Sequence, residues 1–126
     1  MNDTLIQKIQ SGQRCIERAR EIYQKNRSAF LWNYDAQDVA VLNLVRVCEL
    51  GIDMANYVIK RDKLDIPTSS AESFGLLARQ EKISHNLTDK LKLMVGFRNV
   101  AVHEYRWIDY AIVIEISHRD RRGWFE

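Results

Sequence analysis

The amino-acid sequence predicts an all-α fold, an antiparallel four-helix bundle with an additional short helix. Three observations lead there. Apolar residues recur at spacings of three, four and seven over long stretches. No alternating apolar–polar strand and no β-hairpin turn is present. The 126 residues include only five Gly and a single Pro, Pro67, too few turn formers for a β-sandwich. The length fits one domain over 1–126, large enough to close a single core.

The first helix is expected from Asp3 to about Lys25, with Leu5, Ile9, Ile16, Ala19 and Tyr23 on one stripe and Ile6, Cys15 and Ile22 beside it. Asn26 to Tyr34 breaks the period and reads as a loop carrying Phe30 and Trp32. Asp35 is a good N-cap for a long second helix, about Ala36 to Arg61. Its apolar positions include Val41, Leu42, Val45, Val47, Cys48, Ile52, Ala55, Val58 and Ile59, spread around the circumference, so it should meet more than one neighbour. Leu64 to Ser70, with Pro67 inside, must be a break. Ser69 and Glu72 have capping-box spacing and start a short third helix, Ala71 to Gln80. A polar turn at Ser84 to Asn86 precedes a fourth helix, about Leu87 to Tyr105. A fifth begins near Ile108 and carries Ile112, Val113 and Ile116 before the charged end HRDRRGWFE.

Composition narrows the functional classes. Apolar residues make up 46% and charged residues 29%, which describes a folded globule and not a disordered tail. The apolar runs are too short for a transmembrane helix, and the N-terminus lacks the pattern of a signal peptide. The expected location is therefore the cytoplasm, with Cys15 and Cys48 as reduced core thiols. The net charge of +2 neither establishes nor excludes a nucleic-acid partner.

The fourth helix breaks its own pattern. Leu87, Leu91, Met94, Val95, Ala101 and Val102 fall on one stripe, and both Arg98 and Tyr105 point into it. A lone arginine there would read as a paired or snorkelling residue. Here the run is Arg98-Asn99-Val100-Ala101-Val102-His103-Glu104-Tyr105. Asn99 and His103 are four apart, so Asn99 could orient the imidazole. His103 alone would read as a half-buried histidine, and Tyr105 alone as a core-edge ring. Together beside an arginine they point to a site.

Arg98, four residues, His103, one residue and Tyr105 resemble the R-x4-H-x-Y signature of the HepT toxins, small helical ribonucleases of the HEPN superfamily. The likeness includes Asn99 directly after the arginine. It extends to the LNLVRVCELGIDMANYV stretch of the second helix and to the IPTSSAESF turn, and it covers most of the chain to about Ile116. The resemblance implies a HEPN-like bundle and a metal-independent endoribonuclease, the toxin of a type VII toxin–antitoxin pair. In that chemistry the RNA 2′-hydroxyl attacks the adjacent phosphorus and leaves a 2′,3′-cyclic phosphate. The step needs a base, an acid and a cation near the phosphorane oxygens. His103 carries the one side-chain type in the motif suited to proton transfer near neutral pH, and Arg98 is a permanent cation with a fork suited to phosphate. No cofactor and no metal ligand set is expected; the second helix carries no Glu-x-x-His.

Arg98 and His103 should lie about 140° and about 7.5 Å apart on a straight helix, which does not bring them together within one chain. One histidine per chain also cannot easily serve as both base and acid. A homodimer with a composite site between paired fourth helices meets both difficulties. On the second helix, Arg46, Glu49, Asp53 and Asn56 share one side. They read either as a solvated stripe with a local Arg46–Glu49 pair, or as a support in which Glu49 or Asp53 orients Arg98. Trp107 and Tyr110 could stack on bases but more naturally pack the junction of the last two helices.

The resemblance also assigns Tyr105 as the acceptor of AMP from a cognate MntA-type nucleotidyltransferase antitoxin. An adenylate there would crowd and repel an RNA phosphate. RNA, the antitoxin and a second copy of the chain are thus the expected partners, with no membrane. The competing reading is a non-catalytic helical accessory subunit that binds substrate for a minimal nucleotidyltransferase. Which RNA is cut, transfer or messenger, is open at this level.

Overall fold

The computed structural model describes residues 3–104 and 108–118. Five α-helices are present, with no strand among the described residues: α1 (Asp3–Lys25), α2 (Tyr34–Arg61), α3 (Ser70–Arg79), α4 (His85–His103) and α5 (Tyr110–His118). A single 3-10 turn, Arg27–Ala29, lies between α1 and α2. Helix α2 is central and touches each of the other four; α1 also packs on α5, and α3 on α4.

The α1–α2 pair is antiparallel. Lys8 reaches Asp53, and Gly12 sits against Leu50, so later positions on α1 meet earlier positions on α2. The connection is held by Phe30, which is fully buried and stacks edge-to-face on Tyr23 at 5.4 Å between ring centroids. Gln37 Nε2 donates to the Phe30 carbonyl at 2.9 Å, so this buried amide is satisfied. Trp32, the other loop aromatic, is 80% exposed.

Local capping sets the helix starts. Asn33 is the N-cap of α2, its side chain accepting from the Ala36 N–H, and not Asp35 as expected. Asp35 falls in the first turn, where its charge favours the positive helix end. Ser69 caps α3 by accepting from Glu72 N–H, and Ser84 caps α4 by accepting from Leu87 N–H. Helices α2 and α3 both close with Schellman-type bonds, Leu64 N–H to Ile59 C=O and Lys82 N–H to Leu77 C=O, each 2.9 Å. Lys63 (φ 54°) and Glu81 (φ 57°) occupy the left-handed position usual for glycine.

The core runs through Ala19, Leu44, Ile52, Phe74, Met94, Phe97, Val113 and Ile116. Three residues expected on apolar stripes lie outward: Ile9 is 37%, Leu42 50% and Val102 57% exposed. Phe97 takes a buried place on α4 in their stead. Ser73 is buried and donates from Oγ to Asn56 Oδ1 at 2.7 Å, pinning α3 to α2. Asn56 is thus a cross-helix acceptor and not part of a purely solvated stripe. No helix among the described residues is long and apolar enough to cross a membrane.

Candidate active site

The polar cluster forms where α2, α3 and α4 meet. Arg98, on the fourth turn of α4, leans toward α2 and α3. Its Nη1 donates to Glu49 Oε1 on α2 at 2.8 Å, and its Nη2 donates to Ser70 Oγ on α3 at 3.2 Å. The Arg98 side chain is 20% exposed and that of Glu49 is 48% exposed, so the pair sits at the rim of the core. Arg98 Nε is buried with no hydrogen-bond partner among the described residues. The guanidinium plane is therefore set by two acceptors on two helices, and each Nη keeps a further hydrogen for another acceptor.

Two carboxylates on α2 were alternatives for this arginine, and they part company. Glu49 turns to Arg98 and not to Arg46. Asp53, one turn further on, pairs with Lys8 of α1 at 3.4 Å and is 56% exposed. It does not touch Arg98. The crossing of α4 over α2 brings the guanidinium level with position 49, while Lys8 of α1 reaches position 53.

Cys48, next to Glu49 in sequence, faces the core. It is buried, and burial pushes its thiol up to about 11, with the Glu49 charge adding to this and the Arg98 charge opposing it. It stays a protonated core thiol at neutral pH.

His103 is the last residue of α4 and is exposed, as is Asn99 one turn before it. No hydrogen bond joins the two among the described residues, so Asn99 does not hold the imidazole. Glu104 caps α4 with its N–H on the Val100 carbonyl. Tyr105 and Trp107 lie outside the described residues, as do Arg119 to Glu126. Tyr110 packs against the core at the start of α5. Among the described residues, no group of three His, Cys, Asp or Glu side chains gathers as a metal site would require.

Ser70 was not legible beforehand. A signal existed: two serines stand together in Ser69-Ser70, and one hydroxyl suffices for the cap, which leaves the second to be accounted for. A separate apolar groove of about 430 Å³, walled by Ile16, Met54, Phe74, Leu77 and Leu91, contains none of Glu49, Ser70, Arg98 or His103.

The arrangement offers an oriented guanidinium and, at the end of the same helix, a solvent-facing imidazole. Comparisons with known proteins give the family of the chain. The family model for "Ribonuclease HepT-like" proteins matches residues 13–123. The chain is 44% identical over 116 residues to the mRNA nuclease HepT of Shewanella oneidensis, covering 92% of this chain and 86% of that protein. A solved structure of the tri-AMPylated Shewanella oneidensis HEPN toxin in complex with its MNT antitoxin superposes with a TM-score of 0.90 at 41% identity, covering 98% of this chain and 92% of that one. A crystal structure of a toxin–antitoxin complex with AMP-PNP gives 0.88 at 42% identity, covering 94% and 89%. The chain belongs to the HepT-like ribonuclease family.

Proposed function

We propose that this protein is the toxin of a toxin–antitoxin pair and cleaves RNA without a metal ion. The 2′-hydroxyl attacks the neighbouring phosphorus, and Arg98 neutralises the charge that builds on the phosphorane oxygens. His103 moves the proton. The observation that carries the reading is the doubly anchored guanidinium of Arg98, held by Glu49 and Ser70 five residues before an exposed His103. A solvent-facing imidazole at that place has no packing task. This favours the enzyme over an accessory subunit, which needs no general acid–base group.

The active form is a homodimer whose composite site lies between two copies of α4. Arg98 leans into its own α2 and α3, whereas His103 faces outward from the helix end. The two groups diverge within one chain, and a two-fold axis supplies a second motif. Glu49 and Ser70 act through Arg98 as positioning residues. Asn99, next to the arginine in sequence and exposed, is a further candidate for contact with RNA. Asp53, held by Lys8, is left with a structural part.

The partner is a nucleotidyltransferase antitoxin. Relatives of 41% and 42% identity are complexes of toxin with antitoxin, one of them tri-AMPylated. AMP added to Tyr105 would place a bulky anion where an RNA phosphate must enter. The substrate is RNA, and messenger RNA is favoured by the name of the 44% identical relative. Controlled expression tests the reading: the wild type arrests growth, His103→Ala does not, and co-expression of the cognate nucleotidyltransferase relieves the arrest. Equal arrest by wild type and His103→Ala would overturn it.

A further inference from the structure

We propose that the groove between α1 and α2 is a phosphate-binding track for the RNA strand, with Arg14, Arg18 and Arg46 holding backbone oxygens beside the reaction centre. This rests on the ribonuclease reading and extends it to the path of the substrate. The groove has a volume of about 610 Å³, and Ser11, Arg14, Arg18, Asn43, Arg46 and Glu49 stand along it.

Charge is the first argument. Three guanidinium groups face this groove against a single carboxylate, that of Glu49, and Glu49 is already engaged by Arg98. Arg14 and Arg46 are exposed and form no ion pair among the described residues. Arg18 makes only a loose contact with Glu21 at 3.7 Å, and both side chains are about half exposed, so that pair contributes little and yields readily. On the same helix Arg20 is more enclosed and is paired with Glu17. The three arginines along the groove are thus free, or held only loosely, and can take an anion. A concave surface with one sign of charge raises the local concentration of a polyanion.

Geometry is the second. Arg14 and Arg18 are one turn apart on α1, about 6 Å along the axis, and Arg46 stands opposite on α2. Planar guanidinium forks at successive positions suit successive phosphates. Glu49 stands on the α2 wall of the groove, and its Oε1 holds Arg98 Nη1 at 2.8 Å. A strand lying in the track is therefore led to the reacting guanidinium. Protein surfaces instead centre on apolar anchors, and the chain offers those in the separate groove walled by Ile16, Met54 and Phe74.

Binding of a fluorescein-labelled, fully 2′-O-methylated oligouridylate tests the track, because that strand has no attacking hydroxyl and stays intact. Wild-type protein should bind it with affinity that falls linearly in log salt. The Arg14→Gln/Arg18→Gln/Arg46→Gln variant should bind at least about tenfold more weakly, with a salt slope smaller by about 2, at roughly 0.7 per lost single-strand phosphate contact. Arg14→Glu/Arg46→Glu should weaken binding further with an unchanged melting temperature. Wild-type affinity and slope in both variants would overturn the track. So would unchanged RNA binding together with loss of the nucleotidyltransferase complex, which would make the groove a protein surface. Failure of the ribonuclease reading looks different: the methylated strand would bind in an arginine-dependent way while its 2′-hydroxyl counterpart stayed uncut.

Discussion

Nη1 of Arg98 lies 2.8 Å from Oε1 of Glu49 and joins α4 to α2 across 49 positions of sequence. The contact orients the cation and at the same time occupies part of its fork. Removing the carboxylate should therefore act in opposite directions on turnover and on binding. Glu49→Ala should lower kcat roughly tenfold through misorientation, while KM stays level or falls because a competing anion is gone. The stability loss should be about 1 kcal/mol, since the Glu49 carboxylate is about half exposed and Arg98 keeps its bond to Ser70. Steady-state cleavage of a short labelled RNA, joined to thermal melting, reads both.

Arg98→Lys keeps the charge but loses the planar fork that Glu49 and Ser70 hold. We expect activity well below the wild type, with Arg98→Ala lower still. Ser70→Ala should also reduce turnover in the wild type, yet change little in an Arg98→Lys background, because the hydroxyl acts through the guanidinium. A double-mutant cycle on kcat measures that coupling.

His103→Ala should reduce cleavage by about 10²- to 10⁴-fold, the usual contribution of a general acid–base group, without unfolding the exposed end of α4. Mixed with the wild type, this variant also tests the dimer. If one site needs a histidine from each copy, activity in subunit-exchanged mixtures falls as the square of the wild-type fraction. If each chain carries its own site, the fall is linear.

Tyr105→Phe should leave RNA cleavage close to the wild type and abolish neutralisation by the nucleotidyltransferase. Intact-mass measurement after incubation with partner and ATP should show added AMP on the wild type and none on the variant at this position. Neutralisation of the variant by adenylyl transfer would contradict the assignment.

Cys48 gives a pH signature. Its thiol is pushed from 9.0 up to about 11, mainly by burial. The folded state therefore holds its proton at pH values where the unfolded chain releases it. Stability from this group is fully present below about pH 9 and declines between pH 9 and 11, by an amount of order 2–3 kcal/mol. Cys48→Ala should flatten the alkaline part of a denaturation series relative to the wild type. At pH 8, iodoacetamide should label half-buried Cys15 and reach Cys48 only after denaturant is added.

The fold class was legible because helical spacing and the scarcity of Gly and Pro act locally. The short-range devices were legible too: Ser69 three residues before Glu72 is visible in one dimension, and the cap forms. What failed needed three dimensions. Asp35 and Asn33 are both good caps, and the loop decides for Asn33 by donating its Nδ2 to Asn26 Oδ1 at 2.9 Å. Leu42 and Val102 obey the apolar period but stand at least half exposed. At the site, Glu49 and Asp53 present equivalent chemistry on one face of α2. The packing angles of α4 and α1, which no spacing encodes, give Arg98 to the first and Lys8 to the second. Ser70 entered through the same crossing.

End-group analysis of RNA cut by the purified protein in the presence of a chelator tests the central claim most directly, with Arg98→Ala and His103→Ala as controls. Attack by the 2′-hydroxyl should yield fragments ending in a 2′,3′-cyclic phosphate with 5′-hydroxyl partners, formed at undiminished rate in chelator and absent with either variant. Fragments carrying 3′-hydroxyl and 5′-phosphate ends, or activity that vanishes when divalent ions are removed, would contradict it.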